Sequence, residues 1–189
     1  AYLANVDYLM EAGDTIYIAV DGLNGAQGSF FFFHLYSQED QEVPANDDFA
    51  NARAMDGLHG TYPAAPQLAS KEAGEPHHAG NAGGKSVWFK WQATLPGTAV
   101  FLTQDYFHFD TLLAVYQGDS VDALTLIAAN DDFPGMGIGS RLSFVVTPGE
   151  TYYIALDLKD AQDMLRNYLV FVSYFMEGTG TPANDDFTN

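Results

Sequence analysis

The sequence predicts an all-β protein: an antiparallel β-sandwich, jelly-roll-like, that recurs as a tandem repeat with a period of about 138 residues. Three observations support this prediction. Several short apolar segments are separated by turn residues, as in Pro96-Gly97 and Pro148-Gly149. No long segment shows the spacing of apolar residues that is typical of an amphipathic helix. Finally, whole phrases of the sequence occur twice.

The repeat is marked by a short acidic phrase, Asn-Asp-Asp-Phe, at residues 46–49, 130–133 and 184–187. The longer phrase Pro-Ala-Asn-Asp-Asp-Phe occupies 44–49 and recurs at 182–187, which is 138 residues further along the chain. Self-similarity at a fixed long spacing defines the unit of folding. A unit of this length is large enough to bury its own core.

The similarity extends beyond the acidic phrase, because segment 13–21 resembles segment 149–157. We therefore predict three parts. Residues 1–43 are the C-terminal part of one β-sandwich repeat, which is incomplete alone. Residues 44–181 are a complete repeat, and residues 182–189 are the start of the next repeat, a linker or a donor strand.

The predicted elements follow in chain order. Alternating apolar residues predict a strand at 15–20, and four consecutive phenylalanines within 29–36 predict a strand that is apolar on both faces. Segment 50–58 is expected to be a short helical or extended entry, and 60–84 a loop. A loop of that length in a compact domain is usually functional or held by something. Further strands are predicted at 86–93, 98–103, 111–116, 124–129, 141–146, 151–157 and 168–175.

Composition excludes several classes of partner. The net charge is −18 at pH 7, so nucleic acid and anionic membrane surfaces are poor partners. The chain has no cysteine, which excludes disulfides and thiolate metal sites. No apolar run reaches the roughly 18 residues of a membrane span, so no membrane insertion is predicted. The acidity of a chain that is 47% hydrophobic is typical of bound cations or of a high-salt or extracellular setting, with a merely soluble acidic surface as the alternative.

Four motifs together resemble the bacterial pre-peptidase C-terminal domain and its relatives. They are Asn-Asp-Asp-Phe-Ala-Asn-Ala at 46–52, Ser-Val-Trp-Phe-Lys-Trp at 86–91, Phe-Asp-Thr-Leu-Leu-Ala-Val-Tyr at 109–116 and Gly-Glu-Thr-Tyr-Tyr-Ile-Ala at 149–155. The resemblance covers 44–177. It implies a secreted or cell-surface β-sandwich, appended to exported enzymes or strung in tandem on large surface proteins. Some relatives, notably collagen-binding domains of secreted collagenases, bind calcium through an acidic N-terminal segment.

The acidic phrase at the domain entrance predicts a structural calcium site. Asn46, Asp47 and Asp48 offer oxygen ligands at closely spaced positions, as calcium requires. The resemblance implies that acidic side chains of the following loop join them, and Glu72 and Glu75 occupy suitable positions. Such an ion would also order the long loop. The same residue types make turns that hydrogen-bond their own backbone, so turn chemistry alone is the alternative.

A second calcium cluster is predicted from Asp110, Asn130, Asp131 and Asp132, on the condition that the turns near 110 and 130 lie at the same end of the sandwich. Here turn chemistry is the stronger explanation. Asp157 is expected to end a strand rather than to bind an ion.

Two further pairs of residues are candidate binding groups. Adjacent His77 and His78 suggest a transition metal, but neighbours in a loop point in different directions and the sequence shows no third ligand. Trp91 is predicted to face the core. Trp88 lies on the opposite face of the same strand, where it either stacks on a sugar or packs under the long loop, and packing is favoured.

No catalytic motif is present, and we predict no enzyme activity. The favoured hypothesis is an extracellular structural or adhesive repeat, stabilised by calcium, whose partners are copies of itself in a surface or fibre-like assembly. Strand complementation between subunits is one route to that assembly. The alternatives are a module that binds polysaccharide or extracellular matrix, for which a row of exposed aromatics would be diagnostic, and an accessory domain of a secreted hydrolase.

Overall fold

The computed structural model describes residues 15, 17, 42–104, 109–159 and 170–177. The chain divides into two compact units, Ala1–Leu35 and Tyr36–Asn189, and all the strands given below belong to the second. The strand predicted at 29–36 and the segment 182–189 fall on residues outside this description, as does the strand predicted at 15–20 apart from residues 15 and 17. Within the described ranges, no helix is long and apolar enough to cross a membrane.

The described part of the second unit consists of strands and short 3-10 helices. The helical turns are Phe49–Asn51, Pro66–Leu68 and Val121–Ala123. The strands are β1 (Arg53–Met55), β2 (His59–Ala64), β3 (Val87–Gln92), β4 (Gly97–Gln104), β5 (Thr111–Gln117), β6 (Thr125–Asn130), β7 (Arg141–Val146), β8 (Thr151–Leu158) and β9 (Val170–Glu177). The seven strands predicted between 86 and 175 are all present, with their ends displaced by at most two residues.

The strands form two sheets with the topology of a jelly roll. One sheet has the order β1-β3-β8-β5-β6 and the other β2-β9-β4-β7. From β2 onward, consecutive strands pass from one sheet to the other, except for the hairpin β5–β6, which stays in one sheet. This arrangement confirms the predicted β-sandwich. The short β1 is an addition to it, because it pairs in parallel with β3 while the other pairs are antiparallel.

The prediction of a loop from residue 60 was wrong, because β2 occupies the first part of that segment. Its sequence, His-Gly-Thr-Tyr-Pro-Ala, contains a glycine and a proline, which are typical of loops. Both are explained by position. Pro63 is tolerated because β2 is an edge strand. Gly60 is favoured because a Cβ there would lie only 2.9 Å from the ring of Tyr62 and 3.0 Å from the ring of Tyr174.

The main core lies between the two sheets and is rich in aromatic rings. On β3, alternate residues Val87, Phe89 and Trp91 are buried in it. The Trp91 ring lies 5.8 Å from that of Phe101 on β4, at 71°, and Phe101 stacks on Tyr174 of β9 at 5.3 Å. Large rings from opposite sheets therefore interdigitate, which is the packing that gives a sandwich most of its apolar burial.

A second apolar cluster covers the outer face of the five-stranded sheet. Phe49, from the entry segment (residues 44–52), packs edge-on against Trp88 at 5.2 Å and against Tyr153 at 4.3 Å. His78, from the covering loop (residues 69–86), lies 5.5 Å from the Trp88 ring. Trp88 is fully buried as a result. Its predicted packing under the long loop is confirmed.

Alkaline stability depends on Tyr174. Its hydroxyl donates to the Asp56 carbonyl at 2.6 Å, and burial, with the nearby Tyr62 and Asp56, raises the pKa of Tyr174 to about 12. An unfolded tyrosine titrates near pH 10. The folded state holds this proton more tightly, so its contribution to stability is intact below about pH 10 and is lost as the pH rises toward 12.

We therefore expect Tyr174→Phe to lose less stability than the wild type between pH 9 and pH 12, measured by urea unfolding at each pH. The variant should be less stable than the wild type at pH 7, because the Asp56 carbonyl loses its donor. Identical pH profiles for the two proteins would contradict this assignment.

Candidate metal-binding sites

The entry segment is joined to β3 and to the covering loop by hydrogen bonds. The Asn46 carbonyl accepts from the Trp88 N–H at 2.8 Å, and Asn46 Nδ2 donates to the Trp88 carbonyl at 2.8 Å. The Asp47 carboxylate accepts from the Ser70 N–H at 2.6 Å and from its hydroxyl at 3.0 Å. Asp48 precedes the first 3-10 helix and makes no side-chain capping bond. Asn46 and Asp47 therefore act as structural acceptors and donors.

Glu72 brings the covering loop against the same segment. Its Oε2 accepts from the Phe49 N–H at 2.6 Å, and its own N–H donates to Oε2 of Glu75 at 2.9 Å. The structure thus places both predicted loop carboxylates next to the entry segment or next to each other. Among the described residues, however, only Glu75 of the first predicted set belongs to a group of three ligand-type side chains whose atoms lie within 4.8 Å.

The second predicted cluster comes together at one end of the sandwich. Asp110 precedes β5, whereas Asp131 and Asp132 follow β6, and one carboxylate oxygen of each lies within 4.8 Å of the others. The fourth predicted member, Asn130, is committed to the backbone, since its Oδ1 accepts from the Arg141 N–H at 2.9 Å. The geometric condition stated for this cluster is therefore met by three of its four residues.

Lys159 supplies a positive charge at this end. Its Nζ lies 2.8 Å from Oδ2 of Asp131 and 3.7 Å from Oδ2 of Asp110. The hydrogen bond to Asp131 and the nearby carboxylates raise the pKa of Lys159. The other oxygen of Asp131, Oδ1, is buried and has no hydrogen-bond donor. Lys159 thus contacts two of the three carboxylates directly.

A third group lies under the covering loop, on the outer face of the five-stranded sheet. His78 is fully buried; its Nε2 lies 2.7 Å from Oε1 of Glu75 and its Nδ1 lies 2.8 Å from the Tyr116 hydroxyl. Burial acts to raise the pKa of Glu75, but hydrogen bonds from His78, Ser86 and the Glu72 N–H outweigh it, so this pKa lies below its ordinary value. Burial and the Glu75 and Asp157 charges raise the pKa of Tyr116.

Asp157 completes this group from β8. It is the penultimate residue of that strand, close to the predicted strand end, and it is fully buried. Its Oδ1 accepts from the N–H groups of Gly84, Lys85 and Leu158 at 2.9, 2.7 and 2.7 Å. Its Oδ2 accepts from Nζ of Lys71 at 3.0 Å. One carboxylate therefore fixes both ends of the covering loop.

Comparison with known proteins gives similarity in structure but no match in sequence. No family model matches the sequence, and no curated protein matches it. Among solved structures, the chain is similar to the pre-peptidase C-terminal domain of a collagenase from Bacillus anthracis, with a TM-score of 0.41 and 10% sequence identity. The similarity covers 67% of this chain and 94% of that one. The motifs of residues 44–177 resemble this same family.

The grouping of Glu75, His78 and Asp157 was missed by sequence analysis. The sequence shows no third ligand beside His78, because Asp157 lies far along the chain and belongs to no recognisable metal-binding motif. One feature of the sequence points to a partner for Asp157. It is a charged residue in the otherwise apolar strand β8, and such a residue is buried only when it is paired.

We expect Asp157→Ala to lower the free energy of unfolding by about 3 kcal/mol or more, because it leaves Lys71 and the loop amides without their acceptor. Urea unfolding followed by tryptophan fluorescence measures this. Asp119→Ala, at an exposed position, is the matched control and should change stability by less than about 0.5 kcal/mol. Equal effects of the two substitutions would show that the Asp157 contacts are unimportant.

Proposed function

We propose that this chain is a non-catalytic structural domain of an extracellular bacterial protein, in which calcium stabilises the β-sandwich. The observation that carries the proposal is the convergence of Asp110, Asp131 and Asp132 from separate chain segments. The extracellular setting is supported by the motif resemblance, by the net charge of −18 and by the calcium chemistry, since millimolar calcium is available outside cells.

The chemistry of this cluster suits calcium. Calcium is a hard cation that takes six to eight oxygen ligands, and carboxylates supply both oxygen atoms and compensating charge. The Lys159 ammonium contacts two of the three aspartates, Asp110 and Asp131. The buried Oδ1 of Asp131 has no donor, and a cation would satisfy it. Calcium bound here would join the turn before β5 to the turn after β6.

The entry segment is the second place where calcium is proposed. Asp47 and Glu72 already accept backbone hydrogen bonds that join the segment to the covering loop. Carboxylates can bind a cation through a lone pair while they accept such bonds. Asn46, Asp48 and Glu75 lie in the same two segments. Calcium there would strengthen contacts that exist without it, whereas at Asp131 it would satisfy a buried oxygen.

We expect millimolar calcium, compared with excess chelator, to raise the melting temperature of the full chain by several degrees. Binding at about 100 times Kd adds roughly 2.7 kcal/mol to the stability of the folded state. Asp131→Asn should remove most of the shift, and Asp47→Asn should remove only the smaller part that comes from the entry segment. Loss of the shift in Asp47→Asn alone would place the ion at the entry segment. An unchanged melting temperature of the wild type would overturn the calcium proposal.

A structural role is preferred to a matrix-binding role because of where the aromatic side chains lie. Among the described phenylalanine, tyrosine and tryptophan residues, the exposed ones are Tyr17, at 96%, and Phe175 on β9, at 38%. The row of exposed aromatics that would favour stacking on sugars is therefore not found in the described part of the chain. An accessory role beside a secreted hydrolase remains the alternative, and it needs the same stable, non-catalytic sandwich.

Copies of the same chain are the proposed partners. Each sheet ends in edge strands, with β2 and β7 bounding the four-stranded sheet. Edge strands carry unpaired backbone groups to which a strand of another copy can add. Val145 on β7 is 79% exposed and offers an apolar side chain beside that edge. This supports assembly of repeats or subunits by strand addition.

We expect the full chain to assemble reversibly in sedimentation velocity experiments, and Val145→Lys to weaken the assembly, because a lysine on an edge strand opposes pairing. Leu95→Lys, which places the same charge at an exposed turn, is the control and should assemble as the wild type does. A wild-type chain that stays monomeric at high concentration would contradict the proposed partner.

A further inference from the structure

The group under the covering loop has a cation at its centre that belongs to the protein itself. Nζ of Lys71 lies 3.0 Å from Oδ2 of Asp157 and 4.0 Å from Oε1 of Glu75. Both carboxylates have no exposed side-chain surface, whereas the Lys71 side chain is 18% exposed. The ammonium therefore reaches a buried pair of carboxylates from the solvent side.

One ligand-type atom from each of three side chains lies in a cluster beside the Lys71 ammonium. One atom from each of Glu75, His78 and Asp157 lies within 4.8 Å of the other two. His78 Nε2 and Glu75 Oε1 are 2.7 Å apart, and Oδ2 of Asp157 faces the same Lys71 ammonium as Oε1 does. One imidazole nitrogen and two carboxylate oxygens form a mixed donor set that zinc accepts.

The outward-facing atom of each side chain is held by the surrounding protein. Nδ1 of His78 bonds the Tyr116 hydroxyl, and Oε2 of Glu75 accepts from the Glu72 N–H. Oδ1 of Asp157 accepts three backbone N–H groups. Support of this kind orients metal ligands in known sites, and its loss weakens metal binding. Each side chain is thus fixed on one side and presents its other atom to a common point.

The proton on His78 explains how a metal can enter. Nε2 faces a carboxylate oxygen at hydrogen-bond distance, so in the metal-free protein Nε2 carries the proton. A metal at this point takes the lone pair of Nε2 and displaces that proton. Nδ1 then carries a proton and donates to the Tyr116 hydroxyl, which can accept it. The ring keeps its position, but the Glu75 carboxylate, which lies at hydrogen-bond distance from Nε2, moves aside to admit the metal.

We propose that Glu75, His78 and Asp157 form a binding site for a divalent transition metal, with Zn²⁺ as the fitting ion, and that the metal takes the place of the Lys71 ammonium. Zinc rather than calcium is assigned because one of the donors is an imidazole nitrogen and the site is buried. The site is separate from the carboxylate cluster at Asp131, and it shares Glu75 with the entry-segment location where calcium is also proposed. It goes beyond the proposed calcium-stabilised function and does not depend on the Asp131 cluster.

The proposal is tested by titrating the full chain with ZnCl₂ in competition with a chromophoric chelator. The wild type should bind one tight zinc per chain, in the presence of excess calcium. His78→Gln should abolish this binding, whereas His77→Gln should leave it unchanged, since His77 is the exposed neighbour. Tyr116→Phe should weaken it by about 10- to 100-fold, because it removes the support of the His78 ring.

Lys71→Gln is the control that distinguishes loss of a zinc ligand from misfolding of the variant. It keeps all three ligands and removes the competing ammonium, so it should bind zinc more tightly than the wild type, which a misfolded chain could not do. Asp131→Asn should bind zinc as the wild type does, which separates this site from the calcium proposal. No tight zinc in the wild type, loss of binding in His77→Gln, or displacement of zinc by calcium would overturn the assignment.

Discussion

The outer layer of this protein depends on one buried carboxylate, that of Asp157. It lies on the face of the five-stranded sheet that points away from the main core, where an unpaired charge would be strongly destabilising. The backbone N–H groups of Gly84 and Lys85 and the Lys71 ammonium satisfy it. A side chain at residue 83 would overlap this carboxylate, so the close approach of the loop requires a glycine there.

Once the covering loop is fixed, the rest of the layer follows from packing and hydrogen bonding. His78 is placed over Trp88, and the entry segment adds Phe49 to the other side of the same ring. Glu72 and Asp47 then join the two segments through backbone amides. The sandwich thus has two apolar layers, one between the sheets and one outside the five-stranded sheet. This explains how a strand can bury residues on both of its faces.

The two groups of ligand-type side chains differ in environment. The cluster of Asp110, Asp131 and Asp132 lies at the end of the sandwich, is partly open to solvent and offers only oxygen atoms. The group of Glu75, His78 and Asp157 is enclosed and contains a nitrogen donor. Each group has a lysine that supplies a positive charge, Lys159 in the first and Lys71 in the second. Cation binding at either place is therefore a competition with an ammonium group of the chain.

The sequence by itself determined the all-β class and the position of seven strands, because alternation and turn residues act locally. It missed β2, since Gly60 and Pro63 are typical of loops and only the edge position and the Tyr174 ring explain them. It predicted that Asp110 and Asp131 lie close together only if the turns near residues 110 and 130 share one end of the sandwich. Sequence alone does not decide which strand ends are neighbours. The partnership of His78 with Asp157 was decided by tertiary structure alone. Residues far apart in the chain meet there because the covering loop folds back over β8, and no local pattern encodes that contact.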